Sequence, residues 1–188
     1  MATPTSLPAT FTSGQVLTAA QMNDLRGAFR ILQVVSTTKT DTFSASLAAG
    51  AEAAITGLTA SITPSSTDSE IFALVNVNGA QSTGQYEQFG VRLYRDSTEI
   101  GSGTASGDRT TVLGAVRGPN TAQAATIGNV VGQYLDSPAT TSALVYSVYL
   151  VTLQSSTATH VVNRSADDSD ARIHARTSSS ITLLEVSA

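Results

Sequence analysis

From Gln33 onward, stretches rich in Val, Ile, Thr and Tyr return roughly every ten to fifteen residues, and turn-forming residues separate them. No helical period intervenes. A chain built this way has strands too close together for parallel crossovers, which leaves antiparallel sheets as the solution. Leu58, Ala60 and Ile62 alternate with Thr59, Ser61 and Thr63 before Pro64, so one face is buried and the other is wet. Ile71 to Val75, followed by Val77, is apolar on both faces and predicts a central strand. Phe89, Val91 and Leu93 alternate with Gly90, Arg92 and Tyr94, and Arg95 to Thr98 closes that strand with a turn. Ala143 to Leu153, ALVYSVYLVTL, predicts a core strand, and Thr159–Val162 and Ser180–Val186 supply the last two. Gln33–Thr38 and Thr40–Ser44 open the series, with a small-residue turn at Leu47–Gly50. Between Gly101 and Gly132 the frequent glycines predict weaker strands and mobile loops. Eight or nine strands with no internal repeat predict an all-β, jelly-roll-like β-sandwich over residues 34–188.

Phe11 to Leu32 is the one stretch with a helical pattern. Thr18 and Gln21 fit a capping box, and Leu17 can pack on Met22 as a hydrophobic staple. Met22, Leu25, Phe29 and Leu32 then fall at spacings of three and four, forming one apolar seam over a short helix, 18–33. A single stripe cannot be stable alone. It packs either on its own sandwich or, the reading we favour, on copies of itself. Three chains would let the stripes meet on one axis, so a homotrimer is expected. Residues 1–13, with Pro4 and Pro8, predict an extended arm without a core of its own. Residues 1–33 thus form an attachment and oligomerisation segment, with Phe11, Val16 and Leu17 as its apolar docking contacts.

Composition narrows the function. The net charge is -4, with one lysine, Lys39, and nine dispersed arginines, so no basic stripe is available for nucleic acid. There is no cysteine, which removes disulfide and thiolate chemistry. No apolar run is long enough for membrane insertion, and the first residues lack the basic and apolar regions of a signal peptide. Export by a route other than Sec is therefore expected, and release by lysis within a particle would fit. Ser and Thr total 24 and 27, a bias that suits a β-rich extracellular or virion protein.

Reactive side chains are sparse. His160 and His174 read as structural or solvent-facing imidazoles rather than a metal pair. Asp167, Asp168 and Asp170, with Asn163, could hold calcium, but they lack the spacing, glycine and terminal glutamate of an EF-hand and read better as a solvated loop. No nucleophile elbow, phosphate loop or dinucleotide fingerprint occurs. Glu52, Glu70, Glu87, Glu99 and Glu185 are the only glutamates, and there is no tryptophan to stack on a sugar. We expect no enzyme activity, no cofactor and no metal.

Two stretches carry a resemblance. Phe11 to Ala20, then Asn23, resembles the N-terminal motif of phage virion appendage proteins, the tail-fibre and head-fibre group. Leu135-Asp136-Ser137-Pro138-Ala139-Thr140-Thr141-Ser142-Ala143, then Tyr146, Val162 to Ser165, Asp168, Arg176 and Ser179 to Val186, is similar to the distal β domain of the same group. There the chain commonly ends in a Leu-Met-Glu-Ile type strand, where this one has Leu-Leu-Glu-Val. The resemblance implies a trimeric virion-surface protein that binds other virion proteins (tail, portal or capsid) through its N-terminus. It brings no catalytic residue. A fibre or spike subunit binding a host surface glycan or protein is the first reading, and a capsid decoration or cement protein is the alternative. Receptor contacts would fall on the loops near 78–88, 101–109 and 117–124, where polar side chains can vary without disturbing strands.

Overall fold

The computed structural model describes residues 14, 16, 18, 19, 31–81, 86–120 and 125–187. Eleven strands follow one another: β1 (Ile31–Lys39), β2 (Phe43–Leu47), β3 (Glu52–Ile62), β4 (Glu70–Gln81), β5 (Tyr86–Arg95), β6 (Thr98–Ile100), β7 (Gly114–Asn120), β8 (Gly128–Asp136), β9 (Leu144–Thr152), β10 (Ala158–Val162) and β11 (Ser179–Val186). Every pairing is antiparallel. Three pairs are single lines with an interruption. β1 and β2 run end to end along β11 and β10, which in turn share one edge of β4. β6 and β7 share one edge of β5 in the same way. The eleven segments therefore make eight lines. The first sheet is ordered β1/β2, β10/β11, β4, β8, and the second is β3, β9, β5, β6/β7. Numbered along the chain, these are lines 1-8-3-6 and 2-7-4-5, the connectivity of a jelly roll built from two Greek keys.

Alternation decides what lies between the sheets. Ile55, Leu58, Ala60 and Ile62 of β3 meet Ile71, Ala73, Val75 and Val77 of β4 in one core with Phe89, Val91, Leu93, Tyr146, Val148, Leu150, Ile181 and Leu183. The predicted central strands, 71–77 and 143–153, lie in the interior of their sheets as β4 and β9. Two expectations are corrected. Ile31, Leu32 and Gln33, the end of the predicted helix, belong to β1; Gln33, also expected to open the strand 33–38, pairs with Glu185 across the ladder, and its amide donates to the Glu185 carboxylate (2.6 Å) and to Thr63 O (2.7 Å). The ladder to β11 pairs the backbone that a helix end would leave open. The rest of the predicted helix, apart from Thr18 and Ala19, lies outside the described residues.

The second correction concerns the glycine-rich middle. β8 is a full strand, paired with β4 from Ile71 to Gly79. Its glycines make room for packing: a Cβ on Gly132 would stand 2.6 Å from Leu113, and one on Gly128 would stand 2.8 Å from Val116. Both neighbours belong to the line-5 segment that closes the edge between the two sheets. Here glycine marks close approach, not mobility.

Candidate functional site

The direction of the strands sorts the molecule into two ends. Ile31, where β1 begins, pairs with Val186, where β11 finishes, so the N-terminal segment joins the sandwich at the end that carries the 63–69 and 137–143 connections. At the opposite end lie the turn at 48–51, the 153–157 loop, and the facing ends of β4 and β8, where Gly79 pairs with Gly128. Residues 82–85 and 121–124 lie outside the described residues. Of the three predicted receptor loops, 78–88 and 117–124 are strand in their described parts, 78–81 in β4, 86–88 in β5 and 117–120 in β7. The third, 101–109, is placed elsewhere: it leaves line 5 midway, and the residues that follow it return over the second sheet, with Arg92 Nε donating to Thr111 O at 2.8 Å.

The outer faces of the two sheets differ in chemistry. On the first sheet, register aligns Val34, Leu184, Phe72 and Leu135 in one row across all four lines. The next rows are Ser36, Thr182, Leu74, Gln133 and Thr38, Ser180, Asn76, Val131. None of these twelve side chains is charged, and six are apolar. Val131 is 68% exposed, Val34 58% and Leu135 47%. An outward antiparallel face is ordinarily polar, and a continuous apolar row departs from that pattern. The outer face of the second sheet is charged instead. Arg92 Nη1 sits 2.7 Å from Glu52 and Arg92 Nε 3.2 Å from Glu99. Tyr94 donates its hydroxyl to Glu52 (2.7 Å), and its ring lies 4.4 Å from that of Tyr149. Burial, then the Glu52 carboxylate, pushes the Tyr94 phenol up to about 12.

The residues that carried the C-terminal resemblance serve as internal ties. Asp136, buried on β8, accepts two bonds from Arg95 Nη1 (2.8 and 2.9 Å) and one from the Tyr146 hydroxyl (2.6 Å). Burial first, then Asp136, raises the Tyr146 phenol well above its ordinary range. Asn163 sits where line 8 breaks, at φ +63° and fully buried. Its amide donates to Lys39 O and Asp41 O (both 2.9 Å), bridging the gap between β1 and β2, and its oxygen accepts from Ser179 (2.6 Å). Glu185 accepts from Ser65 N, Ser65 Oγ and Gln33, which fixes the 63–69 connection to β11. Burial raises its pKa, but these hydrogen bonds outweigh burial and hold it at about 2.

No protein-family model matches the chain. No curated protein matches it either. Among solved structures, one of infectious bursal disease virus, Gx strain, aligns over 83% of this chain with a TM-score of 0.40 and 14% identity, and this chain covers 37% of that one. Eiger TNF from S. frugiperda aligns over 76% of this chain and 98% of its own length, with a TM-score of 0.35 and 8% identity.

The sequence-predicted site residues fall unevenly. Val16 is described and is 86% exposed. Phe11, Leu17, Met22, Leu25 and Phe29 lie outside the described residues. Leu32 is half-buried in β1. The acidic cluster is occupied by protein partners. Asp168 lies 2.5 Å from Arg176 and 4.0 Å from Arg164. Asp167 accepts from Ser169 N (2.9 Å) and stands 3.7 Å from His174. Among the described residues no group of three metal-ligating side chains assembles. The uncharged outer face was missed because periodicity shows that Ile71–Val75 is apolar on both sides, not that one of those sides is open.

Proposed function

We propose that this chain is a phage virion structural protein: a homotrimeric fibre or spike subunit at the virion surface, attached through Phe11, Val16 and Leu17 to other virion proteins. Its mechanism is binding, with the sandwich held outward toward a host surface glycan or protein. The observation that carries this reading is the separation of ends: the chain enters β1 at Ile31 beside Val186, while the 48–51 and 153–157 turns and the paired ends of β4 and β8 at Gly79 and Gly128 lie at the opposite end. A subunit that docks by its N-terminus needs this polarity, because contacts at one end then leave the other free. The resemblance to the phage appendage domain supports it, since among the residues that carry it Asp136 and Tyr146 tie lines 6 and 7, and Asn163 and Glu185 tie line 8 to line 1 and to the 63–69 connection.

The test is a particle lacking this protein. Reduced adsorption to the host with an unchanged heat stability of the shell is expected, and purified protein should compete with intact particles for the host surface. A shell that weakens while adsorption is unchanged would overturn the fibre reading in favour of a decoration protein.

A further inference from the structure

We infer that the outer face of the first sheet is a subunit interface, filled by two further copies of this chain about a threefold axis. The inference rests on the self-association in the proposed function and adds the surface that carries it. The row Val34, Leu184, Phe72, Leu135 crosses the whole sheet, so its hydrocarbon is continuous. The absence of charge selects the occupant. Over these three rows a copy of the same face meets no like charge and its Ser, Thr, Asn and Gln side chains can hydrogen-bond one another; the outward carboxylate of Glu70 lies a row beyond Phe72, at the 63–69 end, where it accepts from Ser137. The charged outer face of the second sheet, with Glu52, Arg92 and Glu99, has none of these properties.

The dimensions fit three copies. Four lines spaced about 4.8 Å apart make a face about 19 Å wide, and three such faces close a triangular prism whose axis lies about 5 Å from each sheet. That is half the ~10 Å separation of packed sheets, the reach of Leu184 and Phe72 from the two inner lines. A threefold axis along the strands also keeps all three Ile31 ends together, so that the Met22, Leu25, Phe29 seam and the sheet face share one axis.

The chain contains no cysteine, so a single introduced thiol is a specific probe. In the full chain, Leu184→Cys should form a disulfide-linked pair on mild oxidation. Thr59→Cys, on the outer face of the second sheet, should stay unlinked. Light scattering should give three times 19.3 kDa for the native chain, and Val34→Glu with Val131→Glu should bring the mass down to that of one chain. Both positions are exposed in the single subunit, so the far-ultraviolet dichroism should not change. A Leu184→Cys thiol that alkylates as fast as Thr59→Cys and never cross-links would overturn the inference, as would a native monomer or dimer. Trimers that survive both glutamates without cross-linking would sink this interface alone and leave the virion reading to its own adsorption test.

Discussion

His160 provides a quantitative test of how the sandwich is held together. It lies on β10 opposite Ala45 and Gln81, is fully buried, and neither ring nitrogen has a hydrogen-bond partner among the described residues. Burial pushes its pKa down from 6.5 to about 4. The folded chain therefore keeps the ring neutral at pH values where the unfolded chain has already taken up a proton. Stability is greatest above pH 6.5, falls as pH drops below that value, and stops falling on this account below about 4. The full gap corresponds to about 3 kcal/mol, of which about 2 kcal/mol is lost by pH 5. At pH 5 the carboxylates are still largely ionised in both states, and replacing His160 alone separates its contribution from that of His174. The assay is urea unfolding at pH 7.5 and pH 5.0 and at one protein concentration, since self-association would otherwise shift the midpoint. His160→Leu should lose most of the pH difference. At pH 7.5 it should also gain about 1 kcal/mol, because the unpaired ring N–H no longer has to be buried. A Leu variant with the full native pH dependence would refute the reasoning, and so would a native chain equally stable at both pH values.

Three other substitutions address the polar ties. Asn163→Ala should cost about 3 kcal/mol in the same urea assay, because Lys39 O, Asp41 O and Ser179 lose their partner and Ala is strained at φ +63°. Tyr146→Phe should cost about 1–2 kcal/mol by leaving one Asp136 oxygen without its 2.6 Å donor; thermal melts will measure this. Glu185→Gln should cost about 2 kcal/mol at pH 7 through weakened bonds to Ser65 and Gln33. Because the native carboxylate is held at about 2, its contribution is complete above pH 4.5 and is lost as pH falls from there toward 2. The Gln variant should therefore show a flatter acid limb than the native chain in pH titrations of stability.

The sequence was most informative where alternation alone decides the structure. Leu58, Ala60 and Ile62 pointed inward as their spacing requires, and the eight or nine expected strands correspond to the eight lines of the jelly roll. Pattern could not reveal that three lines are interrupted, since the gap between β1 and β2 is bridged by Asn163, which reaches residues 122 and 124 positions away. Glycine was ambiguous for a related reason. Gly128 and Gly132 look like loop residues until Val116 and Leu113 are found against them. The outer row was hidden because Val34, Phe72, Leu135 and Leu184 come from four distant segments and become neighbours only through register.

β11 lies between β1 and β4, and the contact from Gln33 to Glu185 spans 152 residues. During translation β1 thus waits, with an open edge, until residue 186 has been made. The first sheet cannot be assembled in the order in which it is synthesised. Its two halves must be held apart or kept soluble in the interval, and the polar Ser and Thr of β1 are well suited to that wait.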